Sequence, residues 1–289
     1  MTKIGIVADS TCDLTPQQYE DLDVVCLPTP VYIDGVTYLD PYELSPDQFY
    51  EMLVSSDTLP KTSQPSQMVM LEGFKRCAQQ GCDHVLFITI SSKMSGTYRS
   101  AQVIAPESPI PVTVIDAKTV SVGFGHIVAE AARVRDRGAS IEELVAYVEA
   151  IIASHHTYCI LDTLHYLVKG GRAGKTASLA ASLLSIKPIL QVSYEGEMLP
   201  VKKCRGRHRA MHDMARLVEQ YVKKNGPIYY SLMYSSNPSL AFEFSNVLEN
   251  LALSGTKLGL SVVGPAVGTY VAPEGVGISF YQRPRMPRM

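Results

Sequence analysis

The sequence predicts an α/β protein of two lobes: a mainly parallel sheet covered by helices, then a second α/β lobe. Three observations predict it. Short apolar runs with sharp polar stops alternate with stretches of helical spacing along the first half, the order that builds a parallel sheet under crossover helices. The alternation resets near residues 155–160, where TYCILDTLHYLV opens a second series. With 289 residues, 46% apolar and 19% charged, the chain is long enough for one large core or two ordinary ones. We place the lobes at residues 1–157 and 158–289.

The elements follow in order. KIGIVAD is a short buried strand. DVVCLPTPVYID alternates and contains prolines, which suits a sheet edge. SPDQFYEMLVSS opens on Ser45, a cap residue, and carries apolar residues at helical spacing. SQPSQMVMLEGFKRCAQQG predicts a helix from near Pro65, since a first turn tolerates proline, to a stop at Gly81. HVLFITI is a strand, residues 95–105 start a helix, and PVTVIDA is a strand again. TVSVGFGHIVAEAARVRDRG and SIEELVAYVEAIIASHH are two helices. The second lobe holds a glycine-basic turn (KGGRAGK), an apolar helix (ASLAASLLSI) and a strand pair around Glu195-Gly196. A long amphipathic helix at 207–224, the strand IYYSLMYSS and the helix SLAFEFSNVLENLALSG follow. LGLSVVGPAVGTYVAPEGVGISFY closes the chain with strands.

Composition narrows the function. A net charge of -2 gives no strong pull toward nucleic acid or anionic lipid. The terminal RPRMPRM is short and proline-broken, a loose tail rather than a nucleic-acid arm. MTKIGIVADS has only a five-residue apolar run before Asp9, too short for a signal peptide or a span. Six cysteines without a CxxC pair read as reduced, mostly structural thiols, and the cytoplasm is the expected compartment. GGRAGKT lacks phosphate-loop spacing, because three residues rather than four separate Gly170 from Gly174. GFG at 123–125 lacks the third glycine of a dinucleotide motif, and no G-x-S-x-G elbow occurs. His155, His156, Cys159 and His165 have no recognised zinc spacing and read as structural. No cofactor is expected.

What remains is a polar head-group site without visible catalytic machinery. ISSKMSGT (90–97) follows a strand and opens a helix, where unpaired amides favour an anion. Ser95 suits a cap, and Gly96 lets a ligand approach its amide. TSQPS (62–66) has the same character, and Asp9-Ser10-Thr11 offers a third wall. Capping alone and convergence on one anionic head group are both open from these residues. Met68, Met70, Leu71 and the run at 177–184 suit either a core or a flexible aliphatic guest.

DSTCDL (9–14), TSQPS (62–66), SSKMSGTYRSA (91–101), YLVKGGRAG (166–174), SIKPIL (185–190) and VGPAVGTYVAPEGVG (263–277) together resemble the DegV family. These pieces span nearly the whole chain in family order. The resemblance implies a two-lobed α/β protein that buries a long-chain fatty acid. It also implies presentation of the carboxylate to a separate fatty acid kinase, the carrier itself not catalysing. By the same resemblance, Thr62 and Ser95 match the hydroxyls that hold the carboxylate, with the Gly96 amide. Ser63, Arg205 and Tyr270 match head-group or kinase-facing positions. Tyr270 departs from the pattern: the family commonly reads Gly-Thr-His where this chain reads Gly-Thr-Tyr. A phenol hydrogen-bonds a carboxylate but, with a reference pKa of about 10, carries no positive charge near neutrality. Two rival readings stand beside the carrier. One is an enzyme acting on an acyl or phosphate ester in the same pocket; the other is a ligand-regulated interaction protein.

Overall fold

A computed structural model describes residues 2–182 and 186–286, with residues 179–182 as backbone only. The chain runs β1 (Ile4–Asp9), α1 (Pro16–Asp21), β2 (Val24–Leu27), β3 (Thr29–Ile33), β4 (Val36–Asp40), α2 (Pro46–Ser55), β5 (Lys61–Thr62), α3 (Gln67–Gln79), β6 (His84–Thr89), α4 (Thr97–Ile104) and β7 (Val112–Asp116). It continues through α5 (Val122–Arg135), α6 (Ile141–Ser154), β8 (His156–Ile160), α7 (His165–Lys169), β9 (Ile186–Val192), β10 (Met198–Arg205) and α8 (Arg207–Asn225). The last elements are β11 (Ile228–Tyr234), α9 (Pro238–Glu249), β12 (Gly255–Val262), α10 (Pro265–Val271) and β13 (Val276–Tyr281).

Three sheets form. The first is four-stranded and parallel, in the order β2-β1-β6-β7. Side-chain alternation along β1 shows why it is covered twice. Ile4, Ile6 and Ala8 pack with Phe124, Ile127 and Val128 of α5, while Val7 faces Phe74 and Cys77 of α3. Gly5 leaves room for α3, since a Cβ there would come within 2.7 Å of Cys77 Sγ. The second sheet is six-stranded, β10-β9-β8-β13-β11-β12, with β11 and β12 parallel and the other neighbours antiparallel. Ile160, Ile189, Leu232 and Ile278 face α8 and α9. Cys159, Leu190, Val192 and Met233 face the other way, into the same core as α5 and α6. That core therefore joins both sheets, and a division at 157/158 falls within β8. The third sheet, β4-β3-β5, is small and antiparallel.

Four local expectations change. Of the stretch DVVCLPTPVYID, only β2 lies at an edge; β3 is the middle of the small sheet, and Pro30 there still accepts from the Ser63 amide at 3.2 Å. Helix α3 starts after Pro65, with Ser66 Oγ accepting from the Val69 amide at 3.3 Å. In α4 the N-cap is Gly96, without a side-chain cap bond; Ser95 Oγ instead takes the Thr97 amide at 3.3 Å. The closing strand-rich stretch contains a helix, α10, opened by Pro265 at its first position. Of the apolar stretch 177–186 that predicted a helix, 177–182 belong to a 3-10 backbone helix over 174–182, residues 183–185 lie outside the described residues, and Ile186 begins β9.

One buried carboxylate ties distant segments. Glu130 of α5 accepts from Arg133, Tyr147 (2.9 Å), Tyr281 (2.9 Å) and Arg283 (2.6 Å), joining α5, α6, β13 and the chain that follows. Burial opposes its charge, but these four partners outweigh burial and hold its pKa below the usual value. Glu130→Gln is therefore expected to cost about 3 kcal/mol in urea unfolding at neutral pH, because two arginines lose a buried partner. The native contribution is complete above the unfolded glutamate value of 4.5 and fades as pH falls through the depressed folded value. A penalty of the same size at about pH 3 would contradict this assignment.

Candidate functional site: a polar mouth and an apolar chamber

The strand order reverses between β1 and β6, and open α/β sheets bind ligands beyond the carboxyl ends of their strands at such a point. Asp9 stands at the end of β1: its carboxylate accepts from the Ile90 amide at 2.9 Å and from the Thr11 amide at 3.2 Å. Ser10 donates to Asp40 at 2.7 Å and accepts from the Thr29 amide at 3.1 Å. These bonds set Thr11, Thr29 and Ile90 as walls of a cavity with about 820 Å³ of atom-free space, its open mouth included.

The mouth is polar. Thr62 on β5 and Ser95 before α4 both line it, with Ser63, Gly96 and Tyr270. Thr62 Oγ1 lies 2.6 Å from Tyr270 Oη, and Ser95 Oγ lies 2.9 Å from Thr97 Oγ1. Ser63 Oγ meets Tyr32 Oη at 3.0 Å. The absence of a side chain at Gly96 first serves a neighbour, since a Cβ there would come within 2.3 Å of Gln64 Oε1. Arg205 is not brought to this group: it lies exposed at the end of β10 and does not line the cavity.

The sequence reading missed Arg172 and Gln64. Arg172 is the one charged side chain among the described residues lining the cavity. Its guanidinium stacks 4.7 Å from the Tyr270 ring centre, while Nη1 donates to the Gly170 carbonyl at 2.7 Å and Nε to the Met94 carbonyl at 3.2 Å. Gly170 makes this stack possible, because a Cβ there would sit 2.4 Å from the Tyr270 ring. The signal was the GGRAG turn, which fails as a phosphate loop but holds a cation between glycines.

Behind the mouth the lining turns apolar. Val120, Met198, Val267 and Val271 also line a narrow, largely apolar inner chamber. Leu161, Val192, Met233, Val263 and Val276 close it. Helix α10 gives Ala266, Val267, Tyr270 and Val271 to the mouth and Val267 and Val271 to the chamber.

Buried carboxylates stand at the start of α10. The Ala266 amide favours the charge of Asp40, and the Gly264 amide that of Asp13, whose Oδ1 makes no hydrogen bond. Burial pushes Asp9 up to about 6, Asp40 to about 7 and Asp13 well above the usual value; mutual repulsion adds to the last two. Two serine–histidine contacts lie away from this cavity: Ser231–His126 at 2.7 Å and Ser279–His155 at 2.9 Å. Burial lowers His126 to about 4 and His155 well below 6.5, which makes both weak bases. Among the described residues no group of three or more His, Cys, Asp or Glu side chains is arranged to hold a metal ion, and no helix is long and apolar enough to cross a membrane.

Comparison with known proteins gives one consistent picture. The chain matches, over residues 3–283, the family described as uncharacterised protein, DegV family. It is 31% identical over 289 residues to a DegV domain-containing protein of Caldanaerobacter subterraneus, covering 98% of this chain and 100% of that one. It is similar to a solved fatty-acid-binding DegV family protein from Thermus thermophilus, with TM-score 0.91 and 28% identity over 97% of this chain and 100% of that one. It is also similar to a stearic-acid-binding protein from Eubacterium ventriosum, with TM-score 0.89 and 26% identity over 98% of this chain and 99% of that one.

The raised value of Asp40 carries a sign that stability measurements read. An unfolded aspartate releases its proton near 3.8, the folded Asp40 near 7, so between these the folded state holds more protons. Its charge thus costs stability progressively as pH rises through that window. Asp40→Asn removes the cost and keeps an acceptor for Ser10. Relative to the native chain, the variant is expected to gain stability between about pH 4 and pH 8 in urea unfolding. An offset that does not change with pH would contradict this.

Proposed function

The chain belongs to the DegV family, and we propose that it binds a long-chain fatty acid, its carboxylate at the mouth and its hydrocarbon in the chamber. The observation that carries this reading is the shared wall: Val120, Met198, Val267 and Val271 line both a hydroxyl-rich opening and an apolar interior. A carboxylate leaves water at acceptable cost only where donors meet it. Thr62, Ser95 and Tyr270 supply hydroxyls there, and the Arg172 guanidinium supplies fixed positive charge. Burying a CH₂ group contributes about 0.8 kcal/mol, so on the order of fourteen methylenes contribute roughly 11 kcal/mol gross. Each hydrogen bond to a charged group contributes about 1.5–3 kcal/mol net. The tail thus dominates affinity and the mouth fixes orientation. The fatty acids held by relatives from Thermus thermophilus and Eubacterium ventriosum support the same assignment.

The proposal extends to a carrier's role in the cytoplasm. A carboxylate at an open mouth is within reach of a second protein, and we assign it to a separate fatty acid kinase that forms the acyl phosphate. Exposed Arg205 is proposed to face that kinase rather than the ligand.

Two experiments test this. Thr62→Ala with Ser95→Ala is expected to weaken fatty-acid binding by about tenfold or more, or to displace the head group, without unfolding the chain. Unchanged affinity and head-group position in titration and crystal structure would sink the assignment. Tyr270→His is expected to raise acyl-phosphate formation by a cognate kinase more than it raises binding; equal turnover by the two proteins would remove the kinase-facing role of this position.

A further inference from the structure

Helix α8 carries an arrangement that the cavity does not use. His208 and His212 stand one helical turn apart near its start, His208 exposed and His212 half-buried. Their Nε2 atoms lie 3.3 Å apart and their ring centres 4.5 Å apart. Zinc–imidazole bonds are about 2.0–2.1 Å long, so two of them at a tetrahedral angle separate their nitrogens by about 3.3–3.4 Å. The two nitrogens already stand at the separation that one tetrahedral ion requires.

We propose that His208 and His212 form a surface site for a divalent transition-metal ion of borderline softness, such as Zn²⁺, Ni²⁺ or Cu²⁺. Water, or a carboxylate brought by an incoming molecule, completes the shell. Imidazole nitrogens select these ions over Mg²⁺ and Ca²⁺, which take oxygen ligands. The surroundings are cationic and moderate the affinity. Arg205 precedes the helix, and Arg209 and Arg216 flank the pair; the last two lean on Asp213, at 3.1 and 4.0 Å. The site also has a local consequence. Helix α8 begins on Gly206, at φ 76°, without a side-chain cap bond. An ion bridging positions 208 and 212 ties its first two turns together, the work that a cap does elsewhere.

The test uses the full, untagged chain in a non-chelating buffer at about pH 7.5, where imidazoles are free to ligate. Zn²⁺, Ni²⁺, Cu²⁺, Mg²⁺ and Ca²⁺ salts are titrated separately by calorimetry. One ion per chain is expected for the first three and none for the last two. His208→Ala and His212→Ala are each expected to weaken uptake by more than about tenfold, while His165→Ala, on α7, leaves it unchanged. Zn²⁺ is expected to raise the melting temperature of the native chain but not of the two α8 variants. No uptake by the native chain, or uptake that survives both α8 substitutions, would overturn the proposal.

Discussion

A seven-residue helix shapes the cavity, and buried carboxylates hold that helix in place. Helix α10 faces the mouth with Tyr270 and the chamber with Val267 and Val271. Its first amides have no partner within so short a helix. Asp40 stands at the Ala266 amide and Asp13 at the amide of Gly264 just before the helix, each carboxylate anchored in turn by a serine, Ser10 or Ser121. Tyr50 adds a bond to the Val263 carbonyl at 3.0 Å, just before the helix. Polar groups thus surround one end of α10 while its other faces stay apolar. The cavity has its own polarity: the hydroxyls of Thr62, Ser95 and Tyr270 line its opening, and aliphatic side chains line the rest.

The same arrangement divides labour at the mouth. Tyr270 meets Thr62 through its hydroxyl and Arg172 through its ring face. This chain thus places a phenol at the mouth with an arginine stacked on it. A phenol orients a carboxylate by hydrogen bonding, and the guanidinium supplies the charge that the phenol lacks. On this account head-group capture and charge neutralisation belong to different side chains.

Much of the fold was legible because its strands are covered on both faces. KIGIVAD and HVLFIT read as continuous apolar runs, as central parallel strands do. Ser45 was legible as a cap residue, and the structure completes a capping box with Gln48. Thr62 and Ser95 were visible as hydroxyls at two helix starts, yet capping and anion binding stayed open until the family resemblance singled them out. The misses have physical causes. Helix α10 carries three β-branched residues, which favour strand, and a glycine, which disfavours helix; its one helix signal was Pro265 at the first position. Arg172 was overlooked because the turn around it was weighed as a phosphate loop and as a family motif, never for the cation it carries. The central place of β3 depends on pairing with β4 and β5, which local alternation does not encode. Gly96 was read for its amide, whereas the neighbour that needs its missing side chain is Gln64.

The central claim is directional: acid group outward, hydrocarbon inward. It is tested most directly by a crystal structure of the protein loaded with a long-chain acid bearing bromine at its terminal carbon. The account predicts an anomalous bromine peak in the chamber among Val192, Met233 and Val276, with the carboxylate in hydrogen-bonding reach of Thr62 and Ser95. Bromine at the surface, or a chamber left empty with the acid bound elsewhere, would contradict it.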